Sequence, residues 1–131
     1  MPYTLSRCVI GSSFGTISNA YATGSVTSSV IGSSNNYIGG LAGDSFGTIN
    51  NAFYATTDVN GTSINSGSSY NSLGTAKTLA ELQTLSTFST WGSDIDDQSG
   101  TGSVWRIYEG YTTPLLRSLL KALTVTVDAV A

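Results

Sequence analysis

Along the first sixty residues, apolar and polar positions alternate in short runs, each closed by Gly or Asn. In Thr16-Ile17-Ser18-Asn19-Ala20-Tyr21-Ala22-Thr23, Ile17 and Tyr21 fall on one face at period two. Ser25-Val26-Thr27 and Tyr37-Ile38-Gly39-Gly40-Leu41-Ala42 behave alike. The pattern predicts strands of about 4–8 residues with turns between them. From Gly61 to Thr75 the chain is rich in Gly, Ser and Asn and reads as a loop or a degraded repeat. Thr78-Leu79-Ala80-Glu81 then forms a capping box, in which the Thr78 hydroxyl accepts from the Glu81 amide and the Glu81 side chain reaches back. Leu82, Leu85 and Phe88 follow at intervals of three and predict a short helix. Val104 to Tyr108 reads as a strand, Gly110 to Pro114 as a turn, and Leu115 to Leu120 as an apolar run. Leu123 to Val127 alternates again, as a strand leading toward a following domain.

The alternating runs repeat. Gly, Ser, Phe, Gly, Thr, Ile, Asn and Ala of residues 11–20 recur 32 positions later in residues 43–52. Such a period means one structural unit laid down more than once. Strands from successive units can lie parallel at about 4.8 Å, placing Phe14 over Phe46 and Ile17 over Ile49. Asn19 over Asn51 would make a side-chain amide ladder. The second copy has one extra residue at Phe53-Tyr54, which predicts a bulge. The expected class is therefore all-β: a short parallel β-helix, or β-solenoid, over residues 1–75. Residues 76–131 would form a C-terminal capping segment and linker strand, with one short helix covering the exposed end of the stack. An antiparallel sandwich with an accidental duplication is the competing architecture.

Composition narrows the function classes. Of 131 residues only 10% are charged and the net charge is −3. Between Met1 and Leu73 only Arg7, Asp44 and Asp58 carry charge. No Lys and Arg cluster is present to neutralise phosphates, which argues against nucleic acid and against an anionic membrane surface. No apolar run approaches the roughly 20 residues of a membrane span. Histidine, the commonest general base and metal ligand, is absent. Cys8 is the only cysteine, so it forms no internal disulfide and reads as a small buried apolar residue. The first residues have no signal-peptide pattern, and any export signal is expected upstream in a longer parent.

Few residues suggest chemistry. Asp94, Asp96 and Asp97 alternate ahead of Gly100 and offer oxygen ligands for calcium, but without the distal Glu of an EF-hand; a solvated acidic loop is the preferred reading. The same three with Glu109 can be paired as acid and base for glycoside cleavage, but polysaccharide-cleaving β-helices line a face with charge and this repeat does not. Tyr3, Tyr21, Tyr37, Tyr54, Tyr70 and Trp91 offer rings for sugar stacking, and packing along the strands is the plainer role. Asn60-Gly61-Thr62 is a glycosylation acceptor in form and a turn signal first. Arg7, Arg106 and Arg117 read as solvated or capping. No catalytic, cofactor-binding or metal residue is assigned.

Tyr37-Ile38-Gly39-Gly40-Leu41-Ala42-Gly43, followed by Gly47-Thr48-Ile49-Asn50-Asn51-Ala52 and a Tyr-Ala-Thr segment, resembles the GLUG repeat, with Gly40-Leu41-Ala42-Gly43 as its signature. Cys8-Val9-Ile10-Gly11 keeps only the final Gly, so the first copy is imperfect. Phe88-Ser89-Thr90-Trp91, Trp105-Arg106-Ile107, Gly110-Tyr111 and Pro114-Leu115-Leu116-Arg117 resemble the segment that closes GLUG arrays in filamentous-haemagglutinin-like adhesins of two-partner secretion. The resemblance implies a right-handed parallel β-helix, export, and a non-enzymatic place in a bacterial surface fibre. Host glycans or surface proteins, and neighbouring repeats of the parent, are the implied partners. An accessory region of an exported hydrolase, such as an immunoglobulin-A metallopeptidase, and a carbohydrate-binding module remain as alternatives.

Overall fold

The computed structural model describes residues 10–27, 38–45, 47–65, 73–99 and 102–120. The first copy of the repeat contributes β1 (Ile10–Ser13), β2 (Ile17–Ser18) and β3 (Tyr21–Ala22). The second contributes β4 (Ala42–Ser45), β5 (Ile49–Asn50) and β6 (Phe53–Ala55), and β7 (Thr75–Lys77) follows. Each strand of the first copy pairs in parallel with its counterpart: Ile10 with Ala42, Ile17 with Ile49, Tyr21 with Phe53. All three pairs are 32 residues apart, so the sequence period is the register. The backbones come close enough that a Cβ on Gly47 would run into the Gly15 carbonyl, which accounts for the glycine of the second copy, whereas a Cβ on Gly15 would meet nothing. β7 joins β6 in the same sense, Tyr54 opposite Ala76, so the strand at the 75/76 boundary belongs to the repeat sheet.

Parallel pairing does not make the expected short right-handed parallel β-helix. The strands are two to four residues long and fall into four separate sheets of two or three strands. Among the described residues no sheet closes, and none exceeds three strands. Asn19 and Asn51 interrupt the backbone with left-handed residues between β2 and β3 and between β5 and β6. The sheet of the C-terminal part is mixed: β8 (Ile95–Asp96) pairs with β9 (Trp105–Arg106) in parallel, and β10 (Leu115–Leu116) pairs with β9 antiparallel. The class is corrected accordingly, to a small fold of short mixed strands and 3-10 turns.

The helical segments also differ from expectation. They are 3-10 turns at Glu81–Gln83, Leu85–Asp94 and Arg117–Leu119, and the middle one is broken at Phe88 and Gly92. The capping box forms: the Thr78 amide donates to Glu81 Oε2 at 2.8 Å, and the Glu81 amide donates to Thr78 Oγ1 at 3.2 Å. Leu82, Leu85 and Phe88 all face the core cluster, Leu82 from the first turn and the other two from the second. Thr84, extended at φ −115° and ψ 123°, separates the first two turns, so the three residues do not share one continuous helix. Leu82 and Phe88 are fully buried.

The sheet β3-β6-β7 is the middle layer of the fold. Its side chains alternate between two cores, as the pleat requires. Ala22 and Tyr54 pack with Ile17, Leu41 and Ala52. Phe53 and Ala55 turn the other way, with Tyr21, onto Leu82, Phe88, Trp91, Ile95 and Ile107 from the C-terminal part. The C-terminal part therefore covers a face of the repeat sheet. The rings meet edge-on, Phe88 at 4.7 Å from Trp91 and 5.4 Å from Phe53, and each such pair adds about 0.5–1.5 kcal/mol to the burial.

Three finer expectations change. The ladders through Phe53 and Tyr54 run without a skipped residue on either side, so the extra residue makes no bulge there; it extends β6 to Ala55. Phe14 is 81% exposed instead of buried; Phe46 lies outside the described residues, as do Cys8 and the strand expected at Leu123 to Val127. Val26 is buried without being in a strand.

Candidate binding surface

The acidic residues do not converge. Asp96 accepts from Arg117 Nη2 at 2.8 Å. Asp94 Oδ2 accepts from Asn19 Nδ2 at 3.0 Å, Asp97 accepts from Gln98, and Glu109 Oε2 accepts from the Leu85 amide at 2.7 Å. Asp94, Asp96 and Glu109 are tied to three different segments and Asp97 to its own neighbour. Among the described residues no group of three or more acidic, His or Cys side chains is placed to hold a metal ion, and no helix is long and apolar enough to cross a membrane.

Arg117 and Arg106 are used differently. Arg117 donates to Asp96, to the Gln98 carbonyl and to the Ser103 carbonyl and hydroxyl. It clamps the 96–103 loop to β10. A depression of about 400 Å³ beside it is lined by Gly102, Ser103, Val104, Arg117 and Ser118, and its one charged group is already engaged. Arg106 lies 4.7 Å from the centre of the Tyr108 ring, a cation–π contact. Its Nε and Nη1 are buried without hydrogen-bond partners.

The aromatic residues singled out for sugar stacking are packed where they are described. Trp91 is buried and donates from Nε1 to the Asn51 carbonyl at 2.7 Å. Tyr54 is in the inner core. Tyr21 is half-buried against Phe88, Trp91 and Trp105, and its hydroxyl donates to the Pro114 carbonyl and sits 3.1 Å from Thr113 Oγ1. Burial pushes the Tyr21 hydroxyl above its ordinary range, and the Thr113 hydrogen bond pulls it part of the way back. Tyr3, Tyr37 and Tyr70, like Arg7, lie outside the described residues.

Besides Phe14, the exposed rings among the described residues are Tyr108, at 46%, and Tyr111, at 85%. Both belong to one tight turn. The Tyr111 and Thr112 amides donate to the Tyr108 carbonyl at 2.9 and 3.0 Å, and the Tyr108 amide donates to Thr112 Oγ1 at 3.1 Å. Gly110, at φ 77°, supplies the left-handed residue the turn needs. The turn is pinned from outside as well: the Gly110 amide donates to the Gln83 carbonyl at 2.8 Å, and Gln83 Nε2 donates to the Tyr111 carbonyl at 3.3 Å. The sequence signal was a Gly-Tyr pair beside Pro114, which marks a turn but not which rings it displays. Asn60-Gly61-Thr62 is likewise a turn: Asp58 Oδ1 accepts from the Asn60 and Thr62 amides at 2.8 and 2.9 Å. Comparison with family models, with curated proteins and with solved structures finds no match to this chain.

Proposed function

We propose that this chain is a structural and adhesive segment of a secreted bacterial surface protein, with no reaction of its own. It holds repeat units in register and offers a polar surface to host or cell contact. The observation that supports this best is the equality of sequence period and register in three separate ladders. Units that pair residue for residue with their neighbours build length, because each contacts chiefly the next. The GLUG-like residues Gly40-Leu41-Ala42-Gly43 and the low charge of the repeat are in keeping with it.

The test is attachment. Particles coated with the chain should bind epithelial monolayers, and soluble chain should compete. Incubation with polysaccharides or immunoglobulin A should release no product. Coated particles that bind no better than albumin-coated ones, or product release by the purified chain, would overturn the reading.

A further inference from the structure

We infer that the Tyr108–Thr112 turn is a contact site for a neutral pyranose ring, stacked on Tyr111. The inference rests on the adhesive reading above and names where and what the surface contacts.

Two tyrosines are exposed on a five-residue turn whose shape is fixed on both sides. Five hydrogen bonds hold it, three within the turn and two to Gln83, and Glu109 adds a sixth to the Leu85 amide. A ligand meeting it pays little to order it. Tyr is the side chain that offers a large flat area at the cost of two rotatable bonds. Keeping one ring 85% exposed on so rigid a turn leaves apolar surface in water that the fold does not use.

Size selects the class of partner. A fully buried aromatic side chain covers about 150–250 Å², so two partly exposed rings fall well short of the roughly 800 Å² per partner of a stable protein interface. They match one or two sugar units. The face of a pyranose is a patch of C–H groups, weakly positive, and the face of a Tyr ring is weakly negative. The sugar hydroxyls at the rim would find polar groups of Gln83, Glu109 and Thr112.

Charge selects within the class. Glu109 sits in the same turn, and the chain is −3 overall, which disfavours a uronic or sialic acid. Arg106 does not offset this. Its guanidinium is turned onto the Tyr108 ring, and two of its nitrogens are buried. That contact occupies one face of the Tyr108 ring and leaves Tyr111 as the main platform.

The full chain is titrated with cello-oligosaccharide, chito-oligosaccharide and oligoglucuronate of equal length, with ligand-observed NMR as the readout. Saturation transfer to at least one of the two neutral probes is expected, and weaker or none to oligoglucuronate. Tyr111→Ala should weaken neutral-probe binding at least tenfold, and Tyr111→Trp should retain it. Because Tyr111 is exposed, both variants should melt with the wild type, so a loss reads as a loss of contact. Binding unchanged in both Tyr111→Ala and Tyr108→Ala, no binding of either neutral probe, or a preference for oligoglucuronate would overturn the inference. If Tyr111→Ala particles attach to cells as well as wild type does, the adhesive role stands and the site falls. If wild-type particles fail to attach while the neutral probes bind through Tyr111, the site stands and the adhesive role falls.

Discussion

Asn19 and Asn51 stand 32 residues apart in the same left-handed backbone conformation, each at φ 51°. They occupy equivalent corners of the two copies, and both side chains turn toward the C-terminal part. Asn19 Nδ2 donates to Asp94 at 3.0 Å and Asn51 Nδ2 to the Thr90 carbonyl at 3.4 Å. The amide ladder expected between them is replaced by two bonds that tie the repeat to the segment beside it. Asn is one of the few residues with a side chain that takes this conformation readily. Asn51→Gly should therefore cost well under 1 kcal/mol on the backbone, whereas Asn51→Ala should cost about 1–2 kcal/mol. Urea midpoints of the two variants test the order, and equal losses would place the cost in the Thr90 bond instead.

Phe88 and Phe14 separate the two places where a phenylalanine was expected to matter. Phe88 is fully buried and edge-on to Phe53 and Trp91. Phe88→Ala should cost about 3–5 kcal/mol, a large share of the roughly 5–15 kcal/mol that holds a domain folded. Phe14 is largely exposed, and Phe14→Ala should cost less than about 1 kcal/mol. Thermal melts of both variants by far-UV dichroism give the comparison.

Stability should fall at both ends of the pH range, for different groups. Burial raises the Tyr21 hydroxyl above its ordinary 10.0. Its neutral form is therefore favoured by folding, so this contribution is whole below pH 10 and is lost as the pH rises through the raised value. Glu81 is held below the ordinary 4.5, first by the Thr78 amide and then, against an opposing effect of burial, by the Thr78 hydroxyl and Lys77. Its contribution is present above that ordinary value and lost as the pH falls through the lowered one. Glu81 is exposed, so the acid loss should be small. Urea midpoints taken against pH should drop above pH 10 in the wild type, and Tyr21→Phe should remove part of that drop.

The register of the repeat was legible because identical residues returned at a fixed offset, and Ile17 opposite Ile49 followed from that alone. The capping box at Thr78 and Glu81 was legible from four adjacent residues. What the copies build was not. Strand length depends on where the chain leaves extended backbone, and Asn19 and Asn51 read as ladder members when they are corners. The three-residue spacing of Leu82, Leu85 and Phe88 fits an α-helix poorly, and the chain breaks there into two short turns at an extended Thr84. The candidate site was missed for a similar reason. Tyr21 and Trp91 look like Tyr111 in a sequence, and only the C-terminal part folding onto the repeat sheet buries the first two and leaves the third outside.

Asn65, in a stretch that reads as loop, is the buried polar residue with most to lose. It sits at φ 52° with its side chain enclosed. Oδ1 accepts from the Val26 amide at 2.8 Å, and Nδ2 donates to the Gly24 and Ala55 carbonyls, both at 2.9 Å. One amide thus joins the stretch after β3 to the end of β6, and every bond is directional. Asn65→Ala removes all three bonds, and each buried group that loses its partner costs about 1–3 kcal/mol. Asn65→Asp keeps the shape and the bond to Val26, but turns a carboxylate oxygen toward two carbonyls. Its carboxyl should titrate above the ordinary range, because the protonated form supplies a donor and removes the buried charge. Folding then favours the protonated form, so Asn65→Asp should be markedly destabilised at pH 7 and recover part of the loss as the pH falls toward 4. A pH-independent loss would mean that the site relaxes enough to let water reach the carboxylate.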